Sequence, residues 1–164
     1  MKKHKMLYFD IETNAIDFWP TLAGLKDLHC ISIYDPDASK MHSFSSNANN
    51  LDEGVAMLNS AYNICGHNAI NFDAPALRKL GYDISARVVD TKVMSQVMHP
   101  DLFTEDCRRG EEFPKNLRGR HSLKAWGLRL GNEKDDHGST EDWTQWSKEM
   151  QDYCEQDVRV VVDL

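Results

Sequence analysis

The run Leu7-Tyr8-Phe9-Asp10-Ile11-Glu12-Thr13 carries two carboxylates out of an apolar stretch. In an extended chain alternate residues share a face, so Asp10 and Glu12 point together while Ile11 points away. Like charges held side by side repel, and the pairing makes sense when a hard divalent cation sits between them and takes their oxygens. Other oxygen donors follow further along. His67-Asn68-Ala69-Ile70-Asn71-Phe72-Asp73 comes after a short apolar run and opens a helical pattern, which places Asp73 in a first helical turn. The helix dipole alone also favours an acid there, and Asn68 also suits a turn or cap. Tyr153 and Asp157 stand four residues apart in the last helical pattern, so a phenol and a carboxylate emerge from one face. The carboxylate can bind a metal, and the phenol can position a water beside it.

These donors depend on the elements that carry them. Residues 7–13 read as a buried strand, residues 14–27 as a loop broken by Pro20 and Gly24, and residues 28–34 as a second strand. Asp35-Pro36-Asp37 is turn chemistry leading to a third strand over 40–44, which makes an antiparallel meander. Apolar spacing predicts a helix over 51–61, a short buried strand over 63–67 and a helix over 72–80 stopped by Gly81. A strand over 87–90 and a helix over 91–98 follow, ended by Pro100. Residues 101–120 are polar, carry both charges and read as a long loop. Ser122 can cap a helix running to Gly131, and a last helix is expected to start near Trp143 to Trp146 and to run to the end of the chain. Three strands followed by alternating helix and strand predict an α/β fold, a mixed sheet flanked by helices.

With 164 residues, 41% of them hydrophobic, the chain is expected to form one domain, 1–164, whose end falls within the last helix. No stretch approaches the roughly 20 apolar residues of a membrane span, and the polar start Met1-Lys2-Lys3-His4-Lys5 lacks a signal-peptide core, so no membrane partner and a cytoplasmic place are expected. Cys30, Cys65, Cys107 and Cys154 are scattered without a Cys-x-x-Cys pair and read as reduced thiols, mostly buried filler. A net charge of −7 argues against sequence-independent clinging to nucleic acid, although a carboxylate metal site would supply several of those charges itself.

Taken together, Asp-x-Glu on the first strand, Asn-x-x-x-Phe-Asp after a central strand and Tyr-x-x-x-Asp on the last helix resemble the DnaQ-like 3′–5′ exonucleases. Four acids define their DEDD group, and Tyr153 places this chain with the tyrosine subgroup; the position a histidine would need holds Asp152. His121 to Gly131, the run 143–158 and Val89-Asp90-Thr91 extend the likeness to the proofreading exonuclease domain of phage T-seven-type family A DNA polymerases. The resemblance implies an RNase H-like fold and metal-dependent hydrolysis of DNA 3′ ends, single-stranded or frayed, releasing nucleoside 5′-monophosphates. It implies a polymerase domain or subunit as partner, a monomer, and the host cytoplasm if the chain is phage-encoded. Asp10, Glu12 and Asp157 would hold one Mg²⁺ or Mn²⁺, Asp10 would share a second about 3.5–4 Å away with the scissile phosphate, Asp73 would complete the shell through water, and Tyr153 would orient the attacking hydroxide. An exoribonuclease of the same fold and a non-catalytic module that docks DNA or a polymerase are the alternatives.

Several other residues carry two readings. His67 and His121 suit hydrogen bonding near the site better than general-base chemistry, and Asp90 suits a cap on the helix starting at Thr91. Thr13 and Asn68 are candidate substrate contacts, Phe72 can stack on a base, and Leu22 and Leu25 can wedge against one. Arg118 and Arg120, in the basic stretch running from Arg108 to Lys124, either neutralise DNA phosphates or belong to a solvated loop balanced by Glu105, Asp106, Glu111 and Glu112. Trp126, Trp143 and Trp146 are spaced as helix packing.

Overall fold

A computed structural model describes residues 4–14, 22–132 and 144–164, so Pro20 and Trp143 lie outside the described residues. Strand β1 (His4–Thr13) pairs antiparallel with β2 (Leu28–Asp35), which pairs antiparallel with β3 (Lys40–Ser45). On its other side β1 pairs parallel with β4 (Ala61–Gly66), and β4 pairs parallel with β5 (Arg87–Asp90). The five-stranded order β3-β2-β1-β4-β5 puts β1, the strand with the acid pair, in the middle of the sheet.

The period-2 pattern of β1 divides the molecule into layers. Leu7, Phe9 and Ile11 are buried with Ile31, Ile33 and Ile64 in the larger core, covered by α1 (Leu51–Asn59) and α2 (Asp73–Lys79). The opposite face, which carries Tyr8, Asp10 and Glu12, is covered by α5 (Leu123–Leu130) and α6 (Lys148–Asp163) around Trp126, Val160 and Val161. A buried helix-to-strand bond helps tie these layers, Gln151 Nε2 donating to Ser32 Oγ at 2.9 Å. Helix α3 (Thr91–Met98) follows β5 directly.

Residues 101–120 depart from the expected loop. They form a helix, α4 (Leu102–Arg108), and two 3₁₀ turns, Gly110–Glu112 and Lys115–Leu117. The cause is tertiary: Leu102 and Phe113 are buried, and Asp106, expected to be a solvated countercharge, is fully buried in a bidentate pair with Arg129 at 2.9 and 2.7 Å. Gly119 N–H donates to the same carboxylate at 2.8 Å. Burial opposes the charge on Asp106, yet the Arg129 hydrogen bond and the Gly119 amide hold its pKa below the ordinary range. The last helix also starts later than expected, at Lys148, because the Ser147 hydroxyl accepts from Met150 N–H and caps it; Trp146 packs just outside on Cys30, Met150 and Cys154.

Candidate active site

Asp10 and Glu12 stand near the C-terminal end of β1, opposite Ser32 and Cys30, and a register break between Glu12 and Thr13 ends the regular ladder beside them. Both are buried, 8% and 7% exposed. Helix α6 turns Met150, Cys154, Val158 and Val161 onto the sheet, so the neighbouring stripe, Tyr153 and Asp157, falls at the edge where β1 ends.

The third contribution comes from the turn between β4 and α2. Gly66 closes β4 where a Cβ would sit 2.9 Å from Ala69 Cβ and 3.1 Å from the Phe9 carbonyl oxygen, so only glycine lets the turn fold back against β1. Asn68 then adopts a left-handed φ of 65°, and Asp73 begins α2 as expected. Asp90 holds this turn. Its Oδ1 accepts from Asn68 N–H at 3.0 Å and Lys92 N–H at 2.9 Å, and its Oδ2 accepts from Ile70 N–H at 3.0 Å. The expected cap on α3 is therefore present, and the same carboxylate also fixes the loop that delivers Asn68, Phe72 and Asp73.

His67 is a hydrogen-bonding residue, as expected. Its Nε2 lies 2.7 Å from the His121 carbonyl, which can only accept, so Nε2 carries a proton, and its Nδ1 lies 2.9 Å from the Thr91 hydroxyl. His121 Nδ1 lies 3.0 Å from Ser95 Oγ, and burial followed by the Arg129 charge lowers its pKa, which disfavours its protonated form.

Asp10, Glu12, Asn68, Phe72, Asp73, Tyr153 and Asp157 line one cleft of about 320 Å³, together with His67. No lysine or arginine belongs to that lining among the described residues. Burial pushes Asp73 up to about 7, and the Asp90 and Asp157 charges add to the shift against the backbone N–H of Asp73 itself and of Ile11. Four carboxylates gathered without a basic side chain fit a hard cation by the chemistry of the donor set. Ligand atoms of Asp10, Glu12 and Cys154 come within 4.8 Å of one another. Cys154 was not foreseen here, although its place between Tyr153 and Asp157 on the buried helix stripe was the available signal. Its thiol donates to the Asp10 backbone carbonyl at 3.4 Å, and burial, then Cys30, keeps it protonated, so it packs under the acids.

The remaining expected contacts are not brought to the cleft. Leu22 and Leu25 are core residues, 8% and 4% exposed, so neither offers an edge to a base. Arg118 turns its guanidinium to the Gly110 and Phe113 carbonyls and fastens the turn that holds them. Arg120 is exposed, and Thr13 is buried beyond the register break. A second His/Asp group, His4, Asp35 and Asp37, lies outside the cleft.

No family model matches the chain. The DNA-directed DNA polymerase of Escherichia phage T7 is 30% identical over a 182-residue alignment covering 94% of this chain and 25% of the polymerase, and that of Enterobacteria phage T3 gives the same figures. The chain is homologous to part of these phage polymerases. It spans about a quarter of the length of these relatives. Among solved structures, an apo nuclease superposes with a TM-score of 0.58 at 16% identity, covering 96% of this chain and 68% of that one. The family B DNA polymerase from the archaeon Pyrobaculum calidifontis gives 0.55 at 14%, covering 96% and 23%. At these identities the likeness is one of fold, which is RNase H-like, and the phage polymerase homology rests on the sequence match alone.

Proposed function

We propose that the chain is a divalent-metal-dependent 3′–5′ exonuclease that hydrolyses phosphodiester bonds at single-stranded or frayed DNA 3′ ends, acting as a proofreader beside a polymerase domain or subunit. One observation carries the reading: four carboxylates and a tyrosine share a cleft without a basic side chain, in a homologue of phage DNA polymerases. Asp10, Glu12 and Asp157 would hold Mg²⁺ or Mn²⁺, with Asp73 completing the set. Two such ions, when bound, supply Lewis acidity and neutralise charge on the phosphate. Tyr153 holds the attacking water by a hydrogen bond, one helical turn from Asp157. Burial raises the Asp73 carboxyl to about 7 in the metal-free chain, and a cation held beside it would favour the ionised form. Phe72 offers a ring to the terminal base.

Polarity and sugar preference are tested together. With a 5′ label, single-stranded DNA gives a descending ladder ending in short oligonucleotides, and with a 3′ label the first product is the labelled nucleoside 5′-monophosphate. A ladder from the 3′ label alone would reverse the assigned polarity, and equal or faster digestion of the matching RNA would replace DNA as the substrate.

A further inference from the structure

We infer that Lys92 and Asn68 form a phosphodiester-binding subsite at the rim of the cleft, holding a backbone phosphate of single-stranded DNA next to the scissile one. The inference rests on the nuclease reading above and adds a residue to it. A chain of net charge −7 whose cleft is lined by four carboxylates repels a polyanion. Cations bound by those carboxylates offset the scissile phosphate, while the next phosphate along the strand still needs a partner. Lys92 is a basic side chain fastened to a residue of the cleft wall: its Nζ donates to Asn68 Oδ1 at 3.2 Å. With Oδ1 engaged by Lys92, the Nδ2 donors of Asn68 are the part of its amide left to face a ligand. An ammonium beside an amide N–H pair offers donors to both non-bridging oxygens of a phosphodiester.

The pair is also built in place. One oxygen, Asp90 Oδ1, accepts the backbone N–H of Asn68 at 3.0 Å and that of Lys92 at 2.9 Å, so both main chains are locked to a single atom. Asn68 pays for its position with a left-handed φ of 65°, and Lys92 is half-buried, which reduces the rotamer freedom lost on binding.

The test measures binding apart from turnover. In an Asp10→Ala background with Mg²⁺, anisotropy of a 5′-labelled single-stranded oligonucleotide is followed over a range of salt. Lys92→Ala is expected to weaken binding about tenfold and to flatten the slope of log Kd against log salt by about 0.7, the value for one single-strand phosphate contact. Lys92→Arg restores both, Lys92→Gln keeps a donor to Asn68 and secures the fold while losing the charge, and Lys40→Ala on β3 changes neither. Unaltered affinity and slope in both Lys92→Ala and Lys92→Gln would overturn the subsite and leave the nuclease reading standing. A parent chain that neither binds nor digests DNA would overturn both.

Discussion

Asp90 accepts the backbone N–H of Asn68 at 3.0 Å across 22 residues of sequence, so the start of α3 and the turn that delivers Asp73 share one carboxylate. Removing it leaves part-buried amides of two elements without their acceptor. Asp90→Ala is expected to cost about 2–4 kcal/mol, combining a lost N-cap with lost charge-assisted bonds. Asp90→Asn, which keeps one carbonyl oxygen, costs less. Urea unfolding reads the stability, and turnover per folded molecule should fall with it because the Asn68 to Asp73 turn loosens; an Asp90→Ala chain of unchanged stability and turnover would remove Asp90 from this role.

The Asp73 carboxyl makes the metal-free chain sensitive to pH in a defined direction. Its folded pKa is raised from 3.8 to about 7, so the folded state binds the extra proton. Its contribution to stability is full below pH 4 and is lost as pH rises through 7. Asp73→Asn, measured in chelator at pH 8, is therefore expected to be more stable than the parent by roughly 1–3 kcal/mol, and the gap should close at pH 4. A variant less stable than the parent at pH 8 would show that the carboxylate is well accommodated there.

Cys154 lies close enough to Asp10 and Glu12 to suggest a sulfur ligand, yet burial keeps its thiol protonated. Cys154→Ala should retain metal-dependent activity within about threefold and bind the same number of Mn²⁺ ions by calorimetry. Its expected loss is one of packing, about 1–2 kcal/mol. Loss of an ion on this substitution would make the thiol a ligand.

Arg129 and Asp106 are a buried pair, their side chains 3% and 1% exposed. Arg129→Met leaves the Asp106 charge uncompensated and is expected to cost about 3–5 kcal/mol in thermal or urea unfolding. Activity per folded molecule should change little, since the pair lies outside the cleft.

What the sequence revealed and what it concealed follow from the range of the interactions. The acid pair, the start of α2 at Asp73 and the Tyr153 and Asp157 face were legible because strand alternation and helix periodicity are local rules. The sheet order was legible only in outline, through the meander and the alternation that follows it. Helix α4 was hidden because its sequence, Leu102–Arg108, is mostly polar and is held by Arg129, which lies beyond the expected loop. The second duty of Asp90 and the placement of Lys92 on Asn68 were hidden for the same reason, since both join segments more than 20 residues apart. Leu22 and Leu25 read as a wedge only while their burial in the core was out of sight.

The central claim is that Asp10, Glu12, Asp73 and Asp157 form a cation-dependent hydrolytic site. Digestion of 5′-labelled single-stranded DNA by the parent chain and by Asp10→Ala, each with Mg²⁺ and with chelator, tests it most directly. The parent with Mg²⁺ should give a descending ladder, while chelator or Asp10→Ala should slow digestion at least about a thousandfold, the order expected when charge stabilisation at the reacting phosphate is lost. The folded state of Asp10→Ala, checked by circular dichroism, should be retained. Normal digestion by a folded Asp10→Ala chain, or digestion by the parent that persists in chelator, would contradict the account.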